Sequence, residues 1–302
     1  MPIHDQGYRH LEGTLKSAVH EVNPPAPFRK GRCPFPKGET ERTLRWWVIA
    51  REELRIILRR KLFLLFIMMP AIIHFLGRGV YIYLVNMINI RGLAQVNAKF
   101  FYDFLSMQTF FIVLICVFGG SGLIANDLKN NALQMYFSRP LKRIDYIVGK
   151  LVTIMTLLTF VTFILAILLF LESLLLGETV EFLRQHYWIV GSIFLYSLVL
   201  TLPTGLLILT LSSLTKNNRY VAISFAAIVL FTPVIFEILK NIFRSSKIAP
   251  LSFWANLLLL GNKLFGLRSI YASHWGWSML IFLGIIGFCL WTLNRKIRSL
   301  PL

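Results

Sequence analysis

The stretch NDLKNNALQMYFSRPLKRIDYIVGK, Asn126 to Lys150, is a polar island between two hydrophobic runs of membrane length. Phe104 to Ala125 before it is almost free of charge, and Leu151 to Leu171 after it carries none. Lipid offers no partners for unpaired backbone groups, so such an island reads as a loop at a membrane surface joining two spanning helices. Asn126 to Phe137 holds no Pro or Gly and is predicted to form a helix, which Pro140 ends by forcing Arg139 out of helical geometry.

Composition agrees with a membrane setting. The chain has 302 residues, 56% of them hydrophobic, with 25 Phe and 7 Trp, and a mean hydropathy of +0.65. It is read as an all-α integral membrane protein. The net charge of +18 gathers in loops and at helix ends, as expected beside anionic headgroups. No nucleic-acid-binding motif accompanies it, so nucleic acid is not an expected partner. Cys33, Cys116 and Cys289 show no pairing pattern. Residues 1–41 are polar, contain five prolines between Pro24 and Pro36, and lack a signal-peptide core; they are expected to be a disordered cytoplasmic tail.

Six spans are predicted: about Lys61 to Val85, Phe101 to Ala125, Tyr146 to Leu171, Tyr187 to Leu214, Tyr220 to Phe243 and Trp275 to Leu293. Each approximates the roughly 20 residues needed to cross the hydrocarbon core. Thirteen basic residues lie between Arg9 and Lys61, and five more (Lys129, Arg139, Lys142, Arg143, Lys150) in the loop between spans two and three. The positive-inside rule therefore places both termini in the cytoplasm. Lys240, Arg244, Lys247, Lys263 and Arg268 fit this less well, because they fall in a loop assigned to the outside.

Two further segments have a helical or interfacial signature. In RTLRWWVIAREELRIILRRK, Arg42 to Lys61, a 100° period places Trp46, Trp47, Ala50, Leu54, Ile57 and Leu58 on one face and Arg45, Glu52, Arg55 and Arg59 on the other. Residues 42–60 are thus predicted to be an interfacial amphipathic helix, with a bend at Arg59–Arg60–Lys61. Its alternative is a simple cytoplasmic extension of span one. Between spans five and six, IAPLSFWANLLLLGNKLFGL, Ile248 to Leu267, is apolar but broken by Asn256 and by Gly261–Asn262–Lys263. A re-entrant hairpin before the last span suits it better than a seventh span.

This combination resembles the membrane subunits of ABC exporters of the ABC-2 type. The residues carrying the likeness are Asp127, Leu133, Ser138–Arg139–Pro140, Asp145–Tyr146 and Gly149–Lys150, with Arg51–Glu52–Glu53–Leu54–Arg55 similar to the family's connecting helix. The likeness covers residues 42–298, and Asn131–Ala132 stands where many members have Gly-Thr. It implies a six-span transmembrane domain over 61–298 in the cell's inner (plasma) membrane. It also implies a coupling loop at 126–145 that docks on a separate ATPase, and pairing with a second copy or a homologous permease. Asp127, Lys129, Leu133, Tyr136, Arg139, Pro140 and Arg143 would form the docking loop. The chain carries no GxxxxGK[ST] phosphate-binding loop. No cofactor is therefore expected on it, while ATP and Mg are expected on the partner. By the same resemblance, Phe110, Phe111 and Leu114 in span two and Phe231, Thr232 and Phe236 in span five would line a pathway for a hydrophobic or amphipathic cargo.

Several residues keep two readings at this stage. Asp127 either meets the ATPase or caps the loop helix. Asp145 is expected to cap span three, and Lys150 to snorkel at the membrane edge. Glu237 either contacts cargo or, by preference, pairs with Lys240 one turn on. His74 and Arg78 line a cavity or simply mark a helix end. Gly119–Gly120–Ser121–Gly122 allows close packing or acts as a hinge. His74, His186 and His274 lack a metal-ligand spacing, so no metal is expected. The leading function is the permease of an ATP-driven exporter. A non-transporting membrane anchor would use the same coupling parts, and a membrane-embedded lipid-modifying enzyme would need clustered reactive side chains.

Overall fold

A computed structural model describes residues 45–87, 97–132, 143–176, 179–244, 246–269, 271 and 273–298. The tail at 1–41 lies outside the described residues. So do Leu133, Tyr136, Arg139 and Pro140 of the docking loop. Every regular element among the described residues is helical.

Among the described residues six helices are long and apolar enough to cross a membrane, the arrangement of a multi-pass membrane protein. In chain order, α1 is the leading helix Arg45–Leu58. The spans are α2 (Lys61–Val85), α3 (Ala98–Lys129), α4 (Arg143–Leu176) and α5, whose helix runs Thr179–Leu214. They continue with α6 (Asn218–Phe243), and α8 (Trp275–Arg298) completes the set. Between α6 and α8 lie a short 3-10 helix, Ser246–Leu251, and α7, Phe253–Leu264. The expected spans coincide with these helices to within a few residues at each end.

Span four, within α5, is the axis of the bundle: its apolar window is 67% buried, against 22% for α6 and for α8. Its buried threonines are satisfied within the helix. Thr204 donates to the Leu200 carbonyl at 2.5 Å, and Thr210 to the Leu206 carbonyl at 2.8 Å. Three spans contain a π-helical turn: Leu64–Met68 in α2, Cys116–Gly120 in α3 and Phe160–Ile164 in α4. Each inserts a residue into the helical register and turns the side chains that follow onto a new face.

The bend between α1 and α2 falls where the basic cluster lies, with Arg60 extended at φ −75° and ψ 103°. The face that α1 buries is the expected one except at Trp47, and it also takes in Ile49. Ile49, Ala50 and Ile57 are buried, while Trp47 is 48% exposed. The helix lays Ile49 and Ala50 against α4, while Ile57 lies beside Gly119 of α3. Gly149 of α4 permits this approach, since a Cβ there would lie 3.0 Å from both the Trp46 carbonyl oxygen and the Ile49 side chain.

The expected helix over Asn126–Phe137 is interrupted at Asn130–Asn131; Ala132 is helical again, and 133–137 lie outside the described residues. Asn126 to Lys129 are the last turn of α3, and the helix stops at Asn130–Asn131, where Asn131 takes φ +52°. Asn tolerates the left-handed region better than other side chains, so an Asn-Asn pair ends the helix without needing Gly. Arg143 and Asp145 belong to the first turn of α4.

α7 is enclosed by α5, α6 and α8. Ser252 caps it by accepting the Ala255 N–H at 3.2 Å, and Ser192 of α5 donates to the Leu264 carbonyl at 2.7 Å. Gly261 lets it sit between two rings: a Cβ there would lie 2.6 Å from Tyr196 and 2.7 Å from Tyr102.

Candidate functional site

Lys150 stands one turn after Tyr146 and one residue after Gly149, on the face of α4 that meets α1. Its side chain is fully buried, so it does not snorkel. A buried ammonium without a counter-charge costs several kcal/mol and is tolerated only when paired. Two pairs are present. The ammonium lies 2.5 Å from Glu53 Oε1 of α1 and 2.7 Å from Asp127 Oδ2 of α3. The Tyr146 hydroxyl donates to the same Asp127 oxygen at 2.8 Å, and the ammonium sits 5.5 Å from the Tyr146 ring centre. One cation and two carboxylates from three helices form a closed cluster with a formal charge of −1. Glu53 reaches it from the buried stripe of α1, where the neighbouring turns carry Ile49 and Ile57.

The second feature lies one turn before Asp127. Ser212 of α5 accepts the N–H groups of Ile124 and Ala125 at 3.0 and 2.9 Å and donates to the Ser121 carbonyl at 2.9 Å. A buried side chain of the axial helix is thereby spliced into the backbone of α3 just past its π turn. The glycines at this point serve packing. A Cβ on Gly119 would lie 3.2 Å from the Phe63 ring, and one on Gly120 would lie 3.0 Å from the Ile208 side chain.

The remaining sequence-derived sites are distributed as follows. Asp127 faces inward to Lys150. Lys129 is exposed in the last turn of α3, and Arg143 is half-buried at the start of α4. Of the cargo-pathway residues, Phe110 and Phe231 are exposed, and Phe111, Leu114 and Thr232 are half-buried. Phe236 is buried with Ala249, Ala255 and Leu259 beneath α7 and meets Tyr271 edge-on at 5.4 Å. Glu237 and Lys240 form the preferred pair, at 3.1 Å. His74 stacks on Phe104 at 5.2 Å, and Arg78 sits 4.9 Å from the Phe100 ring centre. Both therefore pack α2 on α3.

Sequence reading named Glu53 and Tyr146 only as parts of family-like runs and missed Ser212. The signal for the first two was Lys150 itself, a charge set inside a hydrophobic run that needed a partner. Ser212 had no such signal, because one Ser in a span also satisfies itself on its own helix. Among the described residues no group of three or more His, Cys, Asp or Glu is placed to hold a metal ion. No family model matches this chain, and no curated protein is recognisably similar to it.

Proposed function

We propose that this chain is the transmembrane permease subunit of an ATP-driven exporter of the ABC-2 type. The observation that carries the reading is the Glu53–Lys150–Asp127 cluster. It ties α1, the end of α3 and the start of α4 into one body, and the last two are the helices that residues 130–142 join in sequence. In this reading that connection docks on a separate ATPase subunit, which binds ATP and Mg, and Lys129, Arg139 and Arg143 supply its positive charge. A loop can transmit force only if its two anchoring helix ends do not slide past each other, and a buried three-way ion pair opposes sliding. A second permease copy or homologue completes the pathway for a hydrophobic or amphipathic cargo. The exposed apolar surface of α6 supports such pairing, as does its low burial within one chain.

The same reading places both termini on the cytoplasmic side of the plasma membrane, by charge. α1 lies along the inner interface, supported by the mixture of exposed Trp47, Val48 and Ile56 with exposed Arg51, Arg55 and Arg59. α7 and the 3-10 helix before it form a re-entrant hairpin. At 12 residues, α7 is about 18 Å long, too short to cross.

The test is reconstitution of the full chain with its ATPase in vesicles. Charge reversal of Arg139 and Lys129 is expected to abolish recovery of the complex and cargo-stimulated ATP hydrolysis while leaving the permease folded. Unchanged recovery and hydrolysis would remove the docking assignment.

A further inference from the structure

The basic residues between spans five and six remain without a role. No Asp or Glu follows Glu237 in the sequence, whereas Lys240, Arg244, Lys247, Lys263 and Arg268 do. Lys240 neutralises Glu237 at 3.1 Å, which leaves an uncompensated positive region. Lys263 and Arg268 are exposed, and Lys263 has no ion-pair partner among the described residues.

Two adjoining grooves occupy this region. The first, about 300 Å³, is lined by Lys263, Tyr271, Ser273 and His274 on its polar side. The second, about 370 Å³, is walled by Trp277, Met279, Leu280 and Leu283 of α8. They share His274 and Trp275, so the first groove, apolar but edged by Lys263, Tyr271, Ser273 and His274, continues into a second apolar groove along a spanning helix. The polar edge is rich in donors. His274 accepts the Gly276 N–H on Nδ1 at 3.1 Å, which leaves Nε2–H as the donor of the neutral ring, and it stacks on Trp275 at 5.6 Å. Ser269 donates to the Tyr271 carbonyl at 2.9 Å, and Ser273 lines the groove beside it. Burial, with the Glu237 carboxylate adding to it and Lys240 opposing, holds the Tyr271 phenol above its usual range. It therefore stays a neutral O–H donor.

A groove edged by an ammonium and several O–H and N–H donors suits a phosphate. An apolar groove leading from it along a span, with Trp275 and Trp277 at the level where aromatic residues meet headgroups, suits an acyl chain. We propose that the double groove is a binding site for an anionic phospholipid. Lys263 and His274 hold the headgroup phosphate, and one acyl chain lies along Trp277, Leu280 and Leu283. The site lies at the opposite end of α5 from Ser212, beside Ser192, and does not depend on an ATPase docking at the other end.

The full-length chain, purified in micelles and titrated with phosphatidylglycerol or phosphatidylcholine, is read by native mass spectrometry. Preferential retention of phosphatidylglycerol is expected. Lys263→Ala lowers that retention about fivefold, the weight of one cation at an anionic headgroup, and leaves phosphatidylcholine unchanged. Leu280→Ala weakens both lipids, and Lys216→Ala at the other end of the bundle weakens neither. Lys263 and Leu280 are exposed, so both variants are expected to melt with the parent chain. Equal retention of the two lipids, no effect of Lys263→Ala, or displacement of phosphatidylglycerol by inorganic phosphate would overturn the proposal.

Discussion

Replacing Lys150 by Met keeps the volume and removes the charge that Glu53 and Asp127 share. Both carboxylate oxygens lie within 2.7 Å of one nitrogen, so they are no more than about 5 Å apart. Two unit charges at ~5 Å repel by about 3 kcal/mol at an effective dielectric near 20. Breaking a buried pair by removing one partner costs about 3–5 kcal/mol in general. Here the carboxylate side chains keep 15% and 18% exposure and regain some hydration, so the low end, about 3 kcal/mol, applies. For a chain of this size that is a fall in melting temperature of about 5 °C or more. Tryptophan fluorescence in a single detergent reads it. The triple variant Lys150→Met, Glu53→Gln, Asp127→Asn is expected to recover most of the loss, because neutral groups of similar shape replace a whole buried ion cluster at little cost. A Lys150→Met chain melting within about 1 °C of the parent, or a triple variant no better than the single, would refute the argument that these charges hold the three helices together.

Ser212→Ala leaves two N–H groups and one carbonyl of α3 without their side-chain partner in a buried setting. It is expected to cost about 2 kcal/mol and to speed amide exchange at Ile124 and Ala125 specifically, measured by hydrogen exchange. Gly149→Val drives a side chain into Ile49 and the Trp46 carbonyl and is expected to lift α1 from α4. A cysteine pair placed across that contact would then lose its crosslinking yield, and an unchanged yield would count against the packing. Gly261→Ala meets two tyrosine rings and is expected to destabilise by about 1–3 kcal/mol, seen as a lower melting temperature. Glu237→Gln breaks an exposed pair and is expected to change stability by less than about 1 kcal/mol, within the scatter of the same melting assay.

The spans were legible because hydrophobic runs near 20 residues have few other fates, and the bend at Arg60 because three consecutive cations resist burial. Charge in an apolar run pointed to Lys150 but not to its partners. Glu53 lies 97 residues away in sequence, and nothing local says which helix face will meet α4. The amphipathic period left Ile49 and Glu53 on neither face of α1, because it describes a helix against uniform solvent. The close approach at Ile49 depends on a glycine of another element, Gly149. The end of α3 at Asn131 escaped notice because Asn, unlike Gly or Pro, is compatible with either continuing or stopping a helix.

The two clusters also constrain each other. Asp127 and Ser121 are less than two turns apart on α3, the first bonded to Lys150 and Tyr146 of α4 and linked to Glu53 of α1 only through Lys150, the second to the axial helix through Ser212. A displacement applied at 130–142 cannot draw in α3 alone. Moving α3 without α4 breaks the ion cluster, and moving α3 with α4 strains the three bonds at Ser212, each worth about 1 kcal/mol. The ion cluster is the stronger link, so the joint that yields is the Ser212 splice, adjacent to the π turn at Cys116–Gly120. Under load, α1, α4 and the last turns of α3 therefore shift together against span four. Ser212→Ala should loosen that joint without releasing α1, whereas Lys150→Met should release α1 without loosening the joint. Crosslinking across Gly149–Ile49, read beside exchange at Ile124 and Ala125, separates the two effects. If both variants changed both readings alike, the picture of one rigid unit on one yielding joint would be wrong.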